Sequence, residues 1–380
     1  MYFSVFLEIA TINNPISSMT IKIPSQRKFR FTNWFRAGSI HNRLNFLFPP
    51  DTKLKPTIKT YELSGNAEFV NYVRHHIVTN QSTNDKIELI EKSIKKIFFI
   101  PSAESRFYRE RSIFAQCKKF RHPRCYGIIE TPFESIIFTR FINGHPPRMA
   151  KAHTKIAHGI AEIELIGNSY LSSNKNRSIT RKISLDFFNP WYFYRPKYNY
   201  KKLLRRLYKI TPTDMYINLD STGIIKQLSQ TLSLLKKSAV RSPRCFSHLD
   251  YLRKNLIETK HELFLIDWSE VKIGRIGFDA GAYLSNLYRN LPIPEFLRIK
   301  RNFLDSYYEA IHTYHDKESI PDNILYIFLH HSLWYFLRDS TLSFFFETGQ
   351  PQDFTQKISF LTQLSSVDFS PTKTQKSIDK

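Results

Sequence analysis

The 380-residue sequence predicts an α+β fold in two unequal lobes, a small strand-rich one followed by a larger helical one. Three observations carry this. Between residues 57 and 99, apolar and β-branched residues come in short runs broken by Ser64-Gly65-Asn66, the pattern of successive strands. From residue 280 onward the apolar residues recur at helical spacing instead, as at Tyr283, Leu284, Leu287 and Tyr288. Between these regions a polar loop feeds the apolar run Leu263-Phe264-Leu265-Ile266, which delivers Asp267 and Trp268. The length suffices for two lobes. A composition 42% hydrophobic and 15% aromatic excludes a disordered chain.

Taken in order, residues 1–56 are basic, aromatic and broken by Pro49, Pro50 and Pro56, and read as an extension packed on the first lobe. Met19 is an alternative start. The opening apolar run, residues 1–7, is too short to span a bilayer and lacks the basic leader and cleavage site of a signal peptide. No later run reaches the roughly 18 apolar residues a spanning helix needs, so a cytoplasmic protein, with a peripheral place at a membrane as the variant, is expected.

The first lobe spans residues 57–142. Strands are predicted over 58–63 and 69–78, with Ser64-Gly65-Asn66 as the turn, and another over 86–99 around Ile87, Leu89 and Ile90. A helix opens at Glu104, and residues 135–141 form the lobe's last strand. Ile142-Asn143-Gly144-His145-Pro146-Pro147 then crosses to the second lobe, residues 143–365. There the spacing of Ile156, Ile160, Ile163 and Leu165 predicts a helix over 149–171, and that of Ile225, Leu228, Leu232 and Leu235 one over 224–237. Further helices follow residue 280, with aromatic stripes through Phe303, Tyr307 and Ile311 and over 324–346 that suit core packing. The Ser- and Lys-rich segment 366–380 reads as a disordered tail.

Residues 175–209 stand apart, mixing Arg195, Lys197, Lys201 and Arg205 with Trp191, Tyr192, Phe193 and Tyr194, with Asp186 the only acid. Such a basic aromatic insertion has two readings. Its aromatics join the core and its charges are solvated, or it meets a sugar, a phosphate, an anionic membrane or a single-stranded nucleic acid. Over the whole chain 56 Lys and Arg against 33 Asp and Glu give a net charge of +23, which attracts anionic partners and says nothing of fold. Cys117, Cys125 and Cys245 are too few and too irregular for a disulfide scaffold and imply a reducing compartment. Cys117, His122 and Cys125 offer only three ligands where a zinc site wants a tetrahedral set, so the cysteines read as core residues.

The chemistry sits in residues 246–284. His248, Asp250 and Asn255 are spaced His-x-Asp-x-x-x-x-Asn, and Asp267 follows at the end of a buried strand. Phosphoryl transfer asks a protein for positioning and charge neutralisation more than covalent chemistry. A hydroxyl nucleophile needs a carboxylate to accept its proton, a task that suits Asp250. A nucleotide needs hard oxygen ligands for Mg²⁺, which Asn255 and Asp267 can supply. Asp279, ahead of Ala280-Gly281-Ala282, reads as a helix N-cap.

The segment resembles the aminoglycoside phosphotransferase and choline kinase family, the small-molecule branch of the protein-kinase-like fold, in which His-x-Asp, Asn, an apolar strand ending Ile-Asp-Trp and a later Asp follow one another. The resemblance implies a strand-rich N-lobe, a helical C-lobe, and ATP and Mg²⁺ as cofactors. It implies Asp250 as catalytic base, His248 as brace of the loop, Asn255 and Asp267 as metal ligands, and Asp279 as a structural carboxylate capping the next helix. Glu104 matches the family's Glu-x-x-Phe-Tyr pattern, and its lysine partner on the phosphates is Lys92, with Lys95 and Lys96 as competitors. The hairpin with Ser64 and Gly65 would lie over the phosphates, and Arg140, Phe141 and Ile142 would meet the base at the hinge. Arg140 stands where the family often has glutamate.

The resemblance implies a small hydroxyl compound as acceptor. The basic charge favours a neutral or anionic one, such as a sugar or glycolipid-linked sugar, over an aminoglycoside. The alternatives are a catalytically inactive kinase-like binding protein and a basic module for a membrane surface or nucleic acid. Nucleic acid is the less expected partner.

Overall fold

Alternating side chains set the first lobe of this computed structural model. It describes residues 54–371 apart from 68–69, 81–82, 97–101, 110–115, 174–185, 191–198, 211–220, 315–316 and 348–350, together with Arg43, Leu44 and Leu47. In chain order the lobe holds β1 (Leu54–Ala67), β2 (Val70–Asn80), β3 (Lys86–Lys95), α1 (Ala103–Arg109), β4 (Phe120–Arg121), β5 (Cys125–Glu130) and β6 (Glu134–Arg140). Five of the strands form an antiparallel sheet in the order β1-β2-β3-β6-β5. Because successive strand residues face opposite sides, Ile136 and Phe138 join Ile87, Leu89 and Val78 in a small core on one face. Ile94, Ile128 and Ile137 face the main core from the other.

Leu44 is buried against the small core, and Arg43 pairs with Glu91 at 2.9 Å, so these residues of the 1–56 segment pack on the sheet. Leu47 packs there too, and the rest of that segment up to residue 53 lies outside the described residues.

Two features of the first lobe differ from expectation. Ser64 and Gly65 are not a turn, since β1 runs on to Ala67, with Ser64 opposite Val73 and Gly65 opposite Tyr72. A register shift between Glu62 and Ser64, just ahead of the glycine, puts an irregularity inside the strand where the turn was expected. Strand β3 ends at Lys95, and the expected continuation over 97–99 lies outside the described residues.

The second lobe contains α2 (Met149–Ser172), α3 (Tyr200–Ile210), α4 (Ser221–Arg241), β7 (Arg244–Ser247), β8 (Leu256–Glu258), β9 (Leu263–Leu265), β10 (Lys272–Arg275), α5 (Phe278–Asn290), α6 (Ile293–Ala310), α7 (Ile320–Phe336), α8 (Asp339–Glu347) and α9 (Pro351–Thr362). Helix α2 buries Ile156, Ile160, Ile163 and Glu164 along one stripe against α5 and α6. Aromatic side chains fill the space between the later helices, as where Tyr283 lies 4.7 Å from Phe303 and Phe296 stacks 5.6 Å from Phe328. Short strands carry the loops of interest, β7 pairing with β10 and β9 lying between β4 and β8.

The expected stripe over 324–346 is two helices, broken at Leu337 and Arg338 before Asp339 opens α8. The C-terminal segment stays packed beyond 366, because Phe369 is fully buried 5.3 Å from Phe328 and its carbonyl accepts a 2.7 Å bond from the Tyr308 hydroxyl. One apolar anchor overrides the polar composition there, and residues 372–380 lie outside the described ones. Of the basic aromatic insertion, Phe187 packs in the core against Phe278 and Tyr326, and α3 buries Leu203, Leu204 and Leu207 while Lys201 and Arg205 face solvent. Trp191 to Tyr194 lie outside the described residues.

The three cysteines are buried and free, and burial pushes the Cys117 thiol up to about 12, as suits core residues. Among the described residues no helix is long and apolar enough to cross a membrane.

Candidate active site

Strand β7 ends at Ser247, and the chain turns through Leu249 in the left-handed region, φ 64°. That conformation is costly for a residue with a side chain and persists only where the surroundings impose it. Here Asp279 imposes it. Its carboxylate accepts the N–H groups of His248 and Leu249, both at 2.9 Å, and the Tyr251 hydroxyl at 3.0 Å.

Asp279 is therefore not the N-cap expected of it. Gly277, at φ 96°, is the N-cap, and the Glu164 carboxylate of α2 accepts the N–H groups of Gly277 and Asp279, each at 3.0 Å. Lying inside the helix, Asp279 directs its carboxylate back to the loop. Glu164 satisfies the orphan donors of the helix start in its place.

His248 is fully buried and holds the loop to the following strand. With its proton on Nε2 it donates to the Ile266 carbonyl at 3.0 Å and accepts the Asp250 N–H on Nδ1 at 3.2 Å, so one tautomer satisfies both bonds. Asn255, 2% exposed, donates through Nδ2 to the Asp250 carbonyl at 2.9 Å and to Asp250 Oδ2 at 3.0 Å. The Asn255 carbonyl in turn accepts the Ile266 N–H at 2.9 Å. Asp250, Asn255 and the end of β9 are thus one hydrogen-bonded unit, with the half-buried Asp250 carboxylate at its edge.

Asp267 follows, again left-handed at φ 62°. Its Oδ1 accepts a 2.6 Å bond from Lys92 Nζ of β3, and the same ammonium donates to Glu104 Oε2 of α1 at 2.7 Å. Burial disfavours the Lys92 charge, yet the two carboxylates outweigh it and hold the ammonium above its ordinary range. Burial would likewise raise Asp267, but the Lys92 ammonium wins and holds that carboxyl well below the carboxylate range. Glu104, more deeply buried and beside Asp267, is pushed up in spite of Lys92. Beneath the trio Trp268 is fully buried and stacks on Phe107 of α1 at 3.9 Å and 17°, which fixes α1 to the second lobe.

The structure separates Lys92 from its competitors. Lys95 faces solvent, and Lys96 is bonded to Glu130 and to the Thr131 carbonyl at 2.7 and 2.6 Å. At the expected hinge, the Arg140 N–H donates to the Arg124 carbonyl at 2.7 Å and the Phe141 N–H to Glu88 at 3.1 Å. Both amides are held in the sheet, and Phe141 stacks on His75 at 4.0 Å. Ile142 follows them outside the strand, and His145 then forms an isolated bridge with Glu258. Ser64 and Gly65 belong to the edge strand of the sheet, two strands from Lys92 and in its row, since Ser64 lies opposite Val73 and Val73 opposite Lys92.

Sequence reasoning missed Glu164, Tyr251 and the C-terminal end of α5. A signal for Glu164 existed, since an acid four residues after Ile160 falls on the apolar stripe of α2. Tyr251, next to Asp250, carried none beyond its position. Among the described residues no group of three or more His, Cys, Asp and Glu side chains is placed to hold a metal ion. Asn255 and Asp267 nonetheless offer an amide oxygen and an ionised carboxylate from adjoining backbone, hard donors of the kind a magnesium ion takes in small number beside phosphates and water.

No protein-family model matches the chain, and no curated protein does. Solved structures match it. The amicoumacin kinase hAmiN in complex with AMP-PNP, Ca2+ and Ami aligns with a TM-score of 0.52 and 14% identity over 83% of this chain and 93% of that one. The choline kinase of Cryptosporidium parvum Iowa II gives 0.49 and 14% over 80% and 90%, and a Plasmodium vivax ethanolamine kinase 0.49 and 13% over 85% of each. The first of these likenesses identifies the α+β fold as the protein-kinase-like one.

Proposed function

We propose that the chain is an ATP-dependent phosphotransferase that moves the nucleotide's terminal phosphate to a hydroxyl of a small molecule. The observation that carries this reading is the Lys92 ammonium, held between Glu104 at 2.7 Å and Asp267 at 2.6 Å, across from the Asp250–Asn255 loop. A buried lysine shared by two carboxylates is a poor stability device, since the desolvation of buried charges offsets their attraction. It is a good phosphate receptor, already desolvated and oriented by Glu104.

In this reading residues 57–142 bind the nucleotide, with Ile142 at the base, and residues 143–365 supply the loop and the acceptor side. Lys92 turns from Asp267 to the phosphates while Glu104 keeps it in place. Asn255 Oδ1 and the Asp267 carboxylate would hold Mg²⁺, which when bound neutralises charge on the phosphates. The amicoumacin kinase of like fold, a complex with AMP-PNP and Ca2+, supports a nucleotide and a divalent ion here. Asp250, oriented by Asn255 and His248, accepts the proton of the acceptor hydroxyl as the new bond forms. The net charge of +23 argues against a polycationic acceptor and for a sugar or a glycan-linked hydroxyl.

The test is transfer from ATP with Mg²⁺ to a panel of sugars, amino alcohols and aminoglycosides, with Asp250→Ala and Asp267→Ala as controls. Loss of the general base lowers turnover by about 10²–10⁴-fold, with the far-ultraviolet circular dichroism unchanged. Wild-type turnover in Asp250→Ala refutes the assignment.

A further inference from the structure

The C-terminal end of α5 and the break between α7 and α8 hold two cations, Arg289 and Arg338, that the transfer chemistry above does not use. Asn286 Nδ2 donates to the carbonyl of Tyr251, the residue after Asp250, at 2.7 Å, which fixes this part of α5 against the loop. One turn further on Arg289, half-buried, donates through Nε to the Ser285 carbonyl at 3.3 Å and lays its guanidinium over the Tyr335 ring, 4.8 Å from the centroid. Arg338, at the break between α7 and α8, lays its own guanidinium on the same ring at 4.9 Å.

The Nε of Arg338 is buried and has no hydrogen-bond partner. Among the described residues neither guanidinium has an ion-pair partner. Burial pulls Arg289 down to about 10, and Arg338 adds to the effect, while Tyr335 and Asp250 oppose it, so Arg289 stays charged at neutral pH. Two cations thus share one aromatic face, partly desolvated, with the Asp250 carboxylate as the nearby negative charge on Arg289.

Such a pair is unfavourable until an anion joins it. The planar donor fork of arginine matches a carboxylate or a phosphate. Arg289 lies near enough to the Asp250 carboxylate to feel its charge, and Asn286, one turn earlier on α5, bonds the residue after Asp250, so the pair neighbours the group that would meet the acceptor. We propose that Arg289 and Arg338, seated on Tyr335, form a receptor for an anionic group on the acceptor, which is therefore an acidic hydroxyl compound such as a sugar phosphate or a sugar acid. The inference rests on the phosphotransferase reading and sharpens its acceptor. Net charge speaks for the whole surface, whereas these two groups speak for the acceptor side alone.

The full chain, saturated with Mg²⁺ and AMP-PNP so that the nucleotide site is filled, is titrated calorimetrically with inorganic phosphate and separately with gluconate. The wild type binds at least one of them saturably. Arg289→Met combined with Arg338→Met weakens that binding about tenfold or more while AMP-PNP affinity holds. Arg338→Gln, which keeps a polar group at the buried position, replaces Arg338→Met should that variant fold poorly.

In turnover, glucose 6-phosphate or gluconate is used with a higher kcat/KM than glucose or glucosamine, and the arginine variants raise KM for the acidic compound with kcat retained. Phosphate-only or gluconate-only binding identifies which anion is read, and both outcomes support the receptor. Equal anion binding by the double variant, no saturable binding by the wild type, or a preference for glucosamine overturns it. Failure of AMP-PNP to bind refutes the phosphotransferase reading instead, and phosphate titration of the unloaded chain and its variants then decides the receptor alone.

Discussion

A carboxyl group buried far from any cation must either keep its proton or gather donors, and Glu164 does both. It is fully buried and accepts the Gly277 and Asp279 N–H groups at 3.0 Å each and the Tyr307 hydroxyl at 2.5 Å. Burial, and after it the Asp279 charge, pushes Glu164 from 4.5 up to about 8. A carboxyl whose folded value is raised contributes stability that is complete below its unfolded value and lost as pH rises to the folded one. Wild-type stability should therefore fall between about pH 5 and pH 8 by up to about 1.4 kcal/mol per unit from this group. Glu164→Gln, measured by urea unfolding across that range, should show a flatter slope. His122, pushed down to about 3 by burial, contributes with the opposite sign only below its ordinary 6.5, whereas Glu104 and Asp279, which burial also raises, add slope of the same sign, so the difference between the wild type and Glu164→Gln reports Glu164 and the total slope does not. Asp267 does not interfere, since a depressed carboxyl loses its contribution only in acid, below 3.8. Parallel slopes for the two proteins would show that Glu164 is ionised in the fold.

Helix α5 carries Asp279 near one end and Arg289 near the other, so its seating against α7 governs both sides of the loop. That seating depends on Gly281, where an added Cβ would overlap the Ile324 carbonyl oxygen and lie 3.1 Å from Ile327 Cβ and Phe328 N. The obstacle is largely backbone and cannot rotate away. Alanine gains about 1 kcal/mol of helix propensity over glycine, while overpacking costs about 1–3 kcal/mol. Gly281→Ala should therefore lower the melting temperature, and an unchanged or raised one would mean that the helices part freely. Long amphipathic elements of this kind were legible in the sequence, as α2 shows, expected over 149–171 and found at Met149–Ser172. Strands β7, β8 and β10, three or four residues each, are too short to display a period and were not. Ser64-Gly65 misled because glycine marks strand irregularities as well as turns. At the site, the 248–255 loop and Asp267 were legible because their geometry is local. Glu164 reaches the Asp279 N–H and Asn286 the Tyr251 carbonyl from distant elements, and Lys92 separates from Lys96 only through its partners, which a sequence does not display.

Across the whole molecule the lobes meet through the Lys92–Asp267 pair, the Trp268–Phe107 stack and the pairing of β4 with β9. A ligand bound at Lys92 therefore touches the junction of both lobes and should stabilise them as one cooperative unit. The net charge of +23 draws any polyanion to the surface, so attraction alone is no sign of a site. Differential stabilisation is a sign, because a ligand that binds only the folded chain adds about 2.7 kcal/mol at a hundred times its Kd. Mg²⁺ with AMP-PNP should accordingly raise the melting temperature of the wild type, and the rise should persist at moderate salt, where loose surface association is screened. Asp267→Asn removes both the carboxylate that Lys92 bonds and the ionised oxygen donor, so the rise should disappear. Asp250→Asn leaves those groups untouched and alters the acceptor side, so there the rise should remain although transfer is lost. Loss of the rise in Asp250→Asn, or its survival in Asp267→Asn, would exchange the two carboxylates' roles and place the nucleotide on the other side of the loop.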